Sequence, residues 1–245
     1  MKSRSFASLR MTYALRMTYA LGLTYALGMS MVAVAAGAQS LPLNAEQRER
    51  FERGEPVQIL TTLADSPWPR STVYQFIEAT PEQSAAVLSD YALQSKYIPK
   101  VKMSHILSTK KGETDVKYIF SIPIYPDEHS VSRQRVVSSG AEYRVEWHTV
   151  VDSAAKGSVT KGSATFQPWT SKRTGKAGTL MIHDQSVVPA SMFARVPMVR
   201  NKAIEASRDA AAAIRKQVEH EVKSDTQRLS AQVAAMRALL RPPGV

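Results

Sequence analysis

From residue 101 to residue 188 the chain repeats one pattern six times: a stretch of period two, closed by turn chemistry. The stretches are 101–109, 115–124, 130–138, 142–151, 159–169 and 179–188, separated by Lys-Gly, Tyr-Pro-Asp, Ser-Gly, Asp-Ser and Thr-Gly turns. Val116, Tyr118, Phe120 and Ile122 alternate with Asp115, Lys117, Ile119 and Ser121. Tyr143, Val145, Trp147 and Thr149 alternate with Glu142, Arg144, Glu146 and His148. Successive strand side chains point to opposite faces, so this alternation predicts an antiparallel sheet with one dry and one wet face. The large aromatic residues share the dry face. After Pro189 the period becomes helical, with Val199, Ala203, Ile204, Ala211, Ile214, Val218 and Val222 on one stripe. A sheet with a dry face needs a cover, and this long helix is the only large candidate.

Upstream, 72–80 is β-prone and 55–62 is a shorter stretch of the same kind. Thr80 followed by Pro81 is an N-cap with proline at the first helical position, which starts a short helix over 81–88. A second helical turn runs from Tyr91 to Tyr97 and ends at Pro99. Asn44 with Gln47 three residues on predicts a capping box for a helix through Arg53. At the other end, Leu229, Val233, Met236 and Leu240 mark one side of a helix over 225–240.

The first 38 residues read as an export signal. Lys2, Arg4 and Arg10 precede an apolar stretch from about Met17 to Ala36, and Ala36-Gly37-Ala38 is a small-x-small cleavage pattern. A hexapeptide-like repeat inside it, Met11-Thr12-Tyr13-Ala14-Leu15 and Met17-Thr18-Tyr19-Ala20-Leu21, lengthens the leader. Cleavage at about Ala38 places the mature chain in a bacterial periplasm or outside the cell. The chain has no cysteine, so the core alone must hold the fold there. The formal charge of +11 includes four basic leader residues, so the mature chain carries +7 (+11 − 4). That charge favours transient contact with an anionic membrane surface. The basic residues are too scattered for a nucleic-acid partner.

The order strand, two short helices, six strands, long helix resembles the helix-grip fold of the START-like, or SRPBCC, superfamily of polyketide cyclases, dehydrases and lipid-transport proteins. Three junctions carry the likeness: Glu78-Ala79-Thr80-Pro81-Glu82, the segment from Val87-Leu88-Ser89-Asp90-Tyr91 to Tyr97-Ile98-Pro99-Lys100-Val101, and Val187-Val188-Pro189 before the long helix. The resemblance implies an α+β domain over 55–222 in which a curved antiparallel sheet wraps a long C-terminal helix. It leaves an extension over 39–54 and a helical tail over 223–245. It further implies an apolar pocket between sheet and helix. On that reading Tyr118, Phe120, Tyr143, Val145, Trp147 and Phe166 line the pocket from the sheet, and Met192, Phe193, Val196 and Val199 gate it from the helix side.

Catalytic signatures are absent from the sequence. No histidine pair has metal-ligand spacing, and there is no Gly-x-Ser-x-Gly elbow or phosphate-binding loop. No cofactor, metal or catalytic residue is assigned. His148 falls on the polar face. Arg133 and Arg135 share a face with Val131 and Val137; the cost of burying an unpaired guanidinium favours Ser132 and Val136 as the inward set. His183 and Asp184 are neighbours on a strand, so one of them enters the pocket, and parity does not say which. The expected function is binding or carriage of a hydrophobic small molecule (a lipid, isoprenoid or polycyclic compound) without turnover. Two alternatives stand beside it: a cyclase or dehydratase acting on a polyketide-like chain, and an envelope interaction module that docks a partner through the N-terminal extension and the 225–240 helix.

Overall fold

The computed structural model describes residues 41–64, 66–121, 126–150, 158–189 and 196–240. The leader, Ile122, Met192 and Phe193 lie outside the described residues. Eight strands form one antiparallel sheet: β1 Val57–Thr61, β2 Arg70–Ile77, β3 Val101–Lys110, β4 Glu113–Phe120, β5 Glu128–Ser139, β6 Glu142–Thr149, β7 Val159–Thr170 and β8 Ala177–Val188. Their spatial order is β1-β2-β8-β7-β6-β5-β4-β3. The six period-two stretches thus become a meander, and β2 returns to pair with β8. With α1 Ala45–Glu52, α2 Pro81–Ser89, α3 Gln94–Tyr97, α4 Pro197–Ser224 and α5 Thr226–Leu240, the architecture is the expected α+β helix grip.

Local chemistry sets the junctions. Lys111 and Gly112, at φ 52° and 78°, make the two-residue β3–β4 loop. Positive φ at both positions belongs to the tight turn whose twist matches the flanking strands, and glycine adopts it without steric cost. Thr80 closes a capping box with Gln83, which satisfies two otherwise orphaned N–H groups at the start of α2. Asn44 and Gln47 do the same for α1. Register shifts between Val101 and Met103 and between Ile106 and Ser108 disturb the β3–β4 ladder, and such irregularities bend a strand.

The sheet packs on both faces, the outer one over β1, β2 and β8. On the inner face, Val73, Ile77, Val116, Val136, Val145, Phe166 and Met181 pack with α2 and with Ala211, Ile214 and Val218 of α4. Those three helix residues are almost fully buried and all lie in its second half. On the outer face, Leu41, Leu43 and Phe51 pack against Val57, Tyr74, Phe76 and Leu180. Phe51 meets Trp169 edge-on at 5.6 Å. The segment read from sequence as a mostly polar extension is therefore a second layer over β1, β2 and β8. The α5 helix likewise buries Leu229 and Met236 in the inner core. Both segments spend these apolar residues within the domain instead of presenting them to a partner.

Phe51→Ala tests the outer layer. Phe51 is fully buried, and removing such a ring costs about 3–5 kcal/mol. Urea unfolding of the variant should show a loss of that size. A loss of under about 0.5 kcal/mol, as for a surface substitution, would mean the layer is dispensable.

Candidate ligand cavity

The two halves of α4 do different work. Its second half is locked to the sheet, whereas its first half roofs an open space. Small residues Ala203, Ala206 and Ala210 face that space, and Val199 and Met198 continue the roof toward the helix start. The result is a cavity of about 680 Å³. Lys100, Met198 and Lys202 of its lining are exposed, so the space opens to solvent.

Among the residues proposed from sequence, Tyr118, Phe120, Val145, Trp147 and Val199 line the cavity. Tyr143 and Phe166 do not. Phe166 is fully buried in the packed core, and Tyr143 reaches away to donate to Glu82 of α2 at 3.3 Å. Val196 is exposed beside the roof helix and is not part of the lining. Ser132, expected inward, lines the cavity; the sequence reading missed its polar neighbours Gln94, Gln134 and Gln185, together with Trp68 and Ile98. Parity places Gln134 with Ser132, and Gln185 with His183, on the inner face; their polarity hid both glutamines in a search for apolar lining.

His183 points inward and Asp184 outward. Asp184 accepts a two-pronged contact from Arg70 Nε at 2.8 and 2.9 Å and a hydrogen bond from Thr72 Oγ1 at 2.9 Å. His183 is 5% exposed, lines the cavity, and stacks at a tilt against Trp147 with ring centres 5.3 Å apart. Its Nδ1 has no hydrogen-bond partner among the described residues. Burial pushes the imidazole down to about 4, so it is neutral near pH 7. Gly162 makes this arrangement possible. It sits across from Trp147 in the β6–β7 ladder, and a Cβ there would lie 2.6 Å from the indole ring and 2.4 Å from the Asp184 carbonyl oxygen. The absent side chain lets the indole lie across β7 toward β8.

Arg133 is outside, as its cost of burial predicts. Its Nε and Nη2 hold Asp115 at 2.8 and 3.0 Å, and this contact keeps the Asp115 carboxyl below the usual carboxylate range. Ser132, Gln134 and Val136 take the inward positions. His148 is exposed. The charged lining residues are Lys100, Glu128, Lys202, Glu205 and Asp209, none of them buried. Lys202 pairs with Glu205 at 2.7 Å. The described wall is thus apolar or neutral inside, with charge confined to its rim. No group of His, Asp and Glu able to hold a metal occurs among the described residues.

No family model and no curated protein matches the sequence. Solved structures do match. A STAR-related lipid transfer protein from Xanthomonas axonopodis is 16% identical, with 73% of this chain and 97% of that one covered and a TM-score of 0.57. Human STARD10 is 12% identical over 84% of this chain and 92% of its own, also at a TM-score of 0.57. Human StAR-related lipid transfer protein 5 is 10% identical, covers 72% and 93% respectively, and has a TM-score of 0.53. At these identities the likeness is one of fold: the chain has the START-like helix-grip fold.

His183 also sets a pH dependence. In the unfolded chain the imidazole titrates near 6.5 and in the folded protein near 4, so between these values the unfolded state holds more protons. Stability conferred by the neutral ring is complete above pH 6.5 and is lost as pH falls toward 4, by about 3 kcal/mol in all. Denaturant titrations from pH 7 to pH 4 should show this fall in the wild type, and His183→Gln should flatten it. An equally steep fall in the variant would assign the effect to other groups.

Proposed function

We propose that this protein binds a hydrophobic small molecule in the space between sheet and roof helix, and carries it outside the cytoplasm. One observation carries the reading: a hollow of about 680 Å³ whose roof is built from alanines and whose walls include Tyr118, Phe120, Val145 and Trp147. That volume falls within the range of small-molecule sites, roughly 300–1,000 Å³. Apolar burial at about 25 cal/mol per Å² supplies the driving force. No step of chemistry is needed. The likeness in fold to lipid-transfer proteins is consistent with this role.

Export rests on the basic, apolar and small-x-small order of residues 1–38. The mature chain would begin at Gln39, which N-terminal sequencing of protein from the periplasmic fraction tests. Exchange of ligand with a bilayer calls for transient contact. The +7 charge (+11 − 4) and the exposed Met198 and Arg200 beside the cavity favour an anionic surface.

Uptake is the decisive measurement. Protein stripped of lipid and incubated with a membrane extract should show a retained apolar compound in native mass spectrometry, above an unrelated control protein. Ala206→Trp, which pushes an indole into the hollow, should abolish retention while leaving the circular dichroism spectrum unchanged. Equal retention by wild type, filled variant and control would remove the cavity from the account.

A further inference from the structure

The direction of a hydrogen-bond chain in the cavity wall says what the ligand must offer. The chain begins at the Leu88 carbonyl, which can only accept. Gln94 Nε2 donates to it at 2.8 Å. The Gln94 amide oxygen is thereby turned to Tyr118, whose hydroxyl donates to it at 2.6 Å. Having spent its proton, Tyr118 can only accept from the next residue, and Gln134 Nε2 donates at 3.3 Å. A second arm reaches the same result independently. Ser132 Oγ donates to the His148 carbonyl at 3.3 Å and so accepts from Gln134 Nε2 at 3.2 Å. Two backbone carbonyls thus fix the orientation of the Gln134 amide from two sides. Its amide group is used as donor on Tyr118 and Ser132, and its carbonyl oxygen has no donor among the described residues. Gln134 is 5% exposed and lines the cavity.

Resting on the cavity-binding reading, we propose that the ligand is an uncharged molecule bearing a hydroxyl group, which donates its proton to Gln134 Oε1. A ligand that takes the place of water at this acceptor without supplying a proton leaves it unpaired, which costs free energy, so the wall selects for a donor. A carboxylate or phosphate monoester offers only lone pairs at neutral pH and would meet an acceptor with an acceptor. The charge balance agrees. The rim carries three carboxylates against two lysines, and Lys202 is already paired with Glu205. The interior wall has no ammonium or guanidinium among the described residues, and His183 is neutral there. An anionic head would enter without a counter-charge, which burial penalises heavily.

A matched series separates the terms: hexadecanol, its methyl ether, palmitate and hexadecane, each titrated below its aggregation limit and read by tryptophan fluorescence. The alcohol should bind roughly tenfold more tightly than the ether, the loss expected for one hydrogen bond. It should also exceed palmitate and hexadecane. Gln134→Leu should bring alcohol and ether to equal affinity. Tyr118→Phe, which frees Gln134 to turn, should narrow the same gap. Ether binding as tightly as alcohol in the wild type, palmitate binding more tightly than either, or a gap that survives Gln134→Leu would each overturn the inference while leaving a binding cavity. A protein that binds none of the four loses both the cavity-binding reading and this one.

Discussion

The structure depends on how one helix is held. The second half of α4 is pinned from several sides. Ala211, Ile214 and Val218 are buried in the inner core. Glu219 accepts the Glu78 backbone N–H at 3.1 Å, at the point where β2 gives way to α2, and is itself held by Arg215 Nε at 2.9 Å. The first half is tied at one side, Gln58 Nε2 of β1 donating to the Ile204 carbonyl at 2.8 Å and Ser71 Oγ of β2 to Ser207 Oγ at 3.1 Å. Its inward residues are mainly alanines, which give the backbone little to pack with. The hollow is what remains where those small residues face the sheet.

Much of this was legible in the chain. Period two named the six meander strands to within a few residues, because a sheet with one dry face leaves that signature whatever its ligand. The caps at Asn44 and Thr80 were readable because capping uses side chains at fixed offsets. Depth was not readable. Parity says which side of the sheet a residue faces, and Tyr143, Phe166 and Trp147 all face inward. It does not say where α2 ends and the hollow begins, so Tyr143 and Phe166 were grouped with residues that line the cavity. The outer layer was obscured for a related reason. Leu41, Leu43 and Phe51 are three apolar residues in a polar stretch, too few to show a period, yet each one is buried.

His183 and Asp184 show where sequence reasoning needed a neighbour. Adjacent strand residues must face opposite ways, and the choice was made by partners far away in the chain: Arg70 and Thr72 for the carboxylate, Trp147 for the imidazole. Gly162 belongs to the same cluster. Its significance is invisible until the ladder places it opposite an indole. Polar residues on the inner face were the harder case, since Gln134 in an alternating strand looks like an exception to the dry pattern. In the folded wall it is the end of a chain whose polarity two carbonyl groups impose.

The carbonyl of Gly54 is seized twice, by Gln75 Nε2 at 2.6 Å and by the guanidinium of Arg215, and a side chain at Gly54 would collide with that guanidinium. This clasp joins the outer layer to the pinned half of α4. With α4 tied to β1 and β2 in its first half and clasped to Gly54 in its second, the depth of the hollow is set by the small side chains that the helix turns inward.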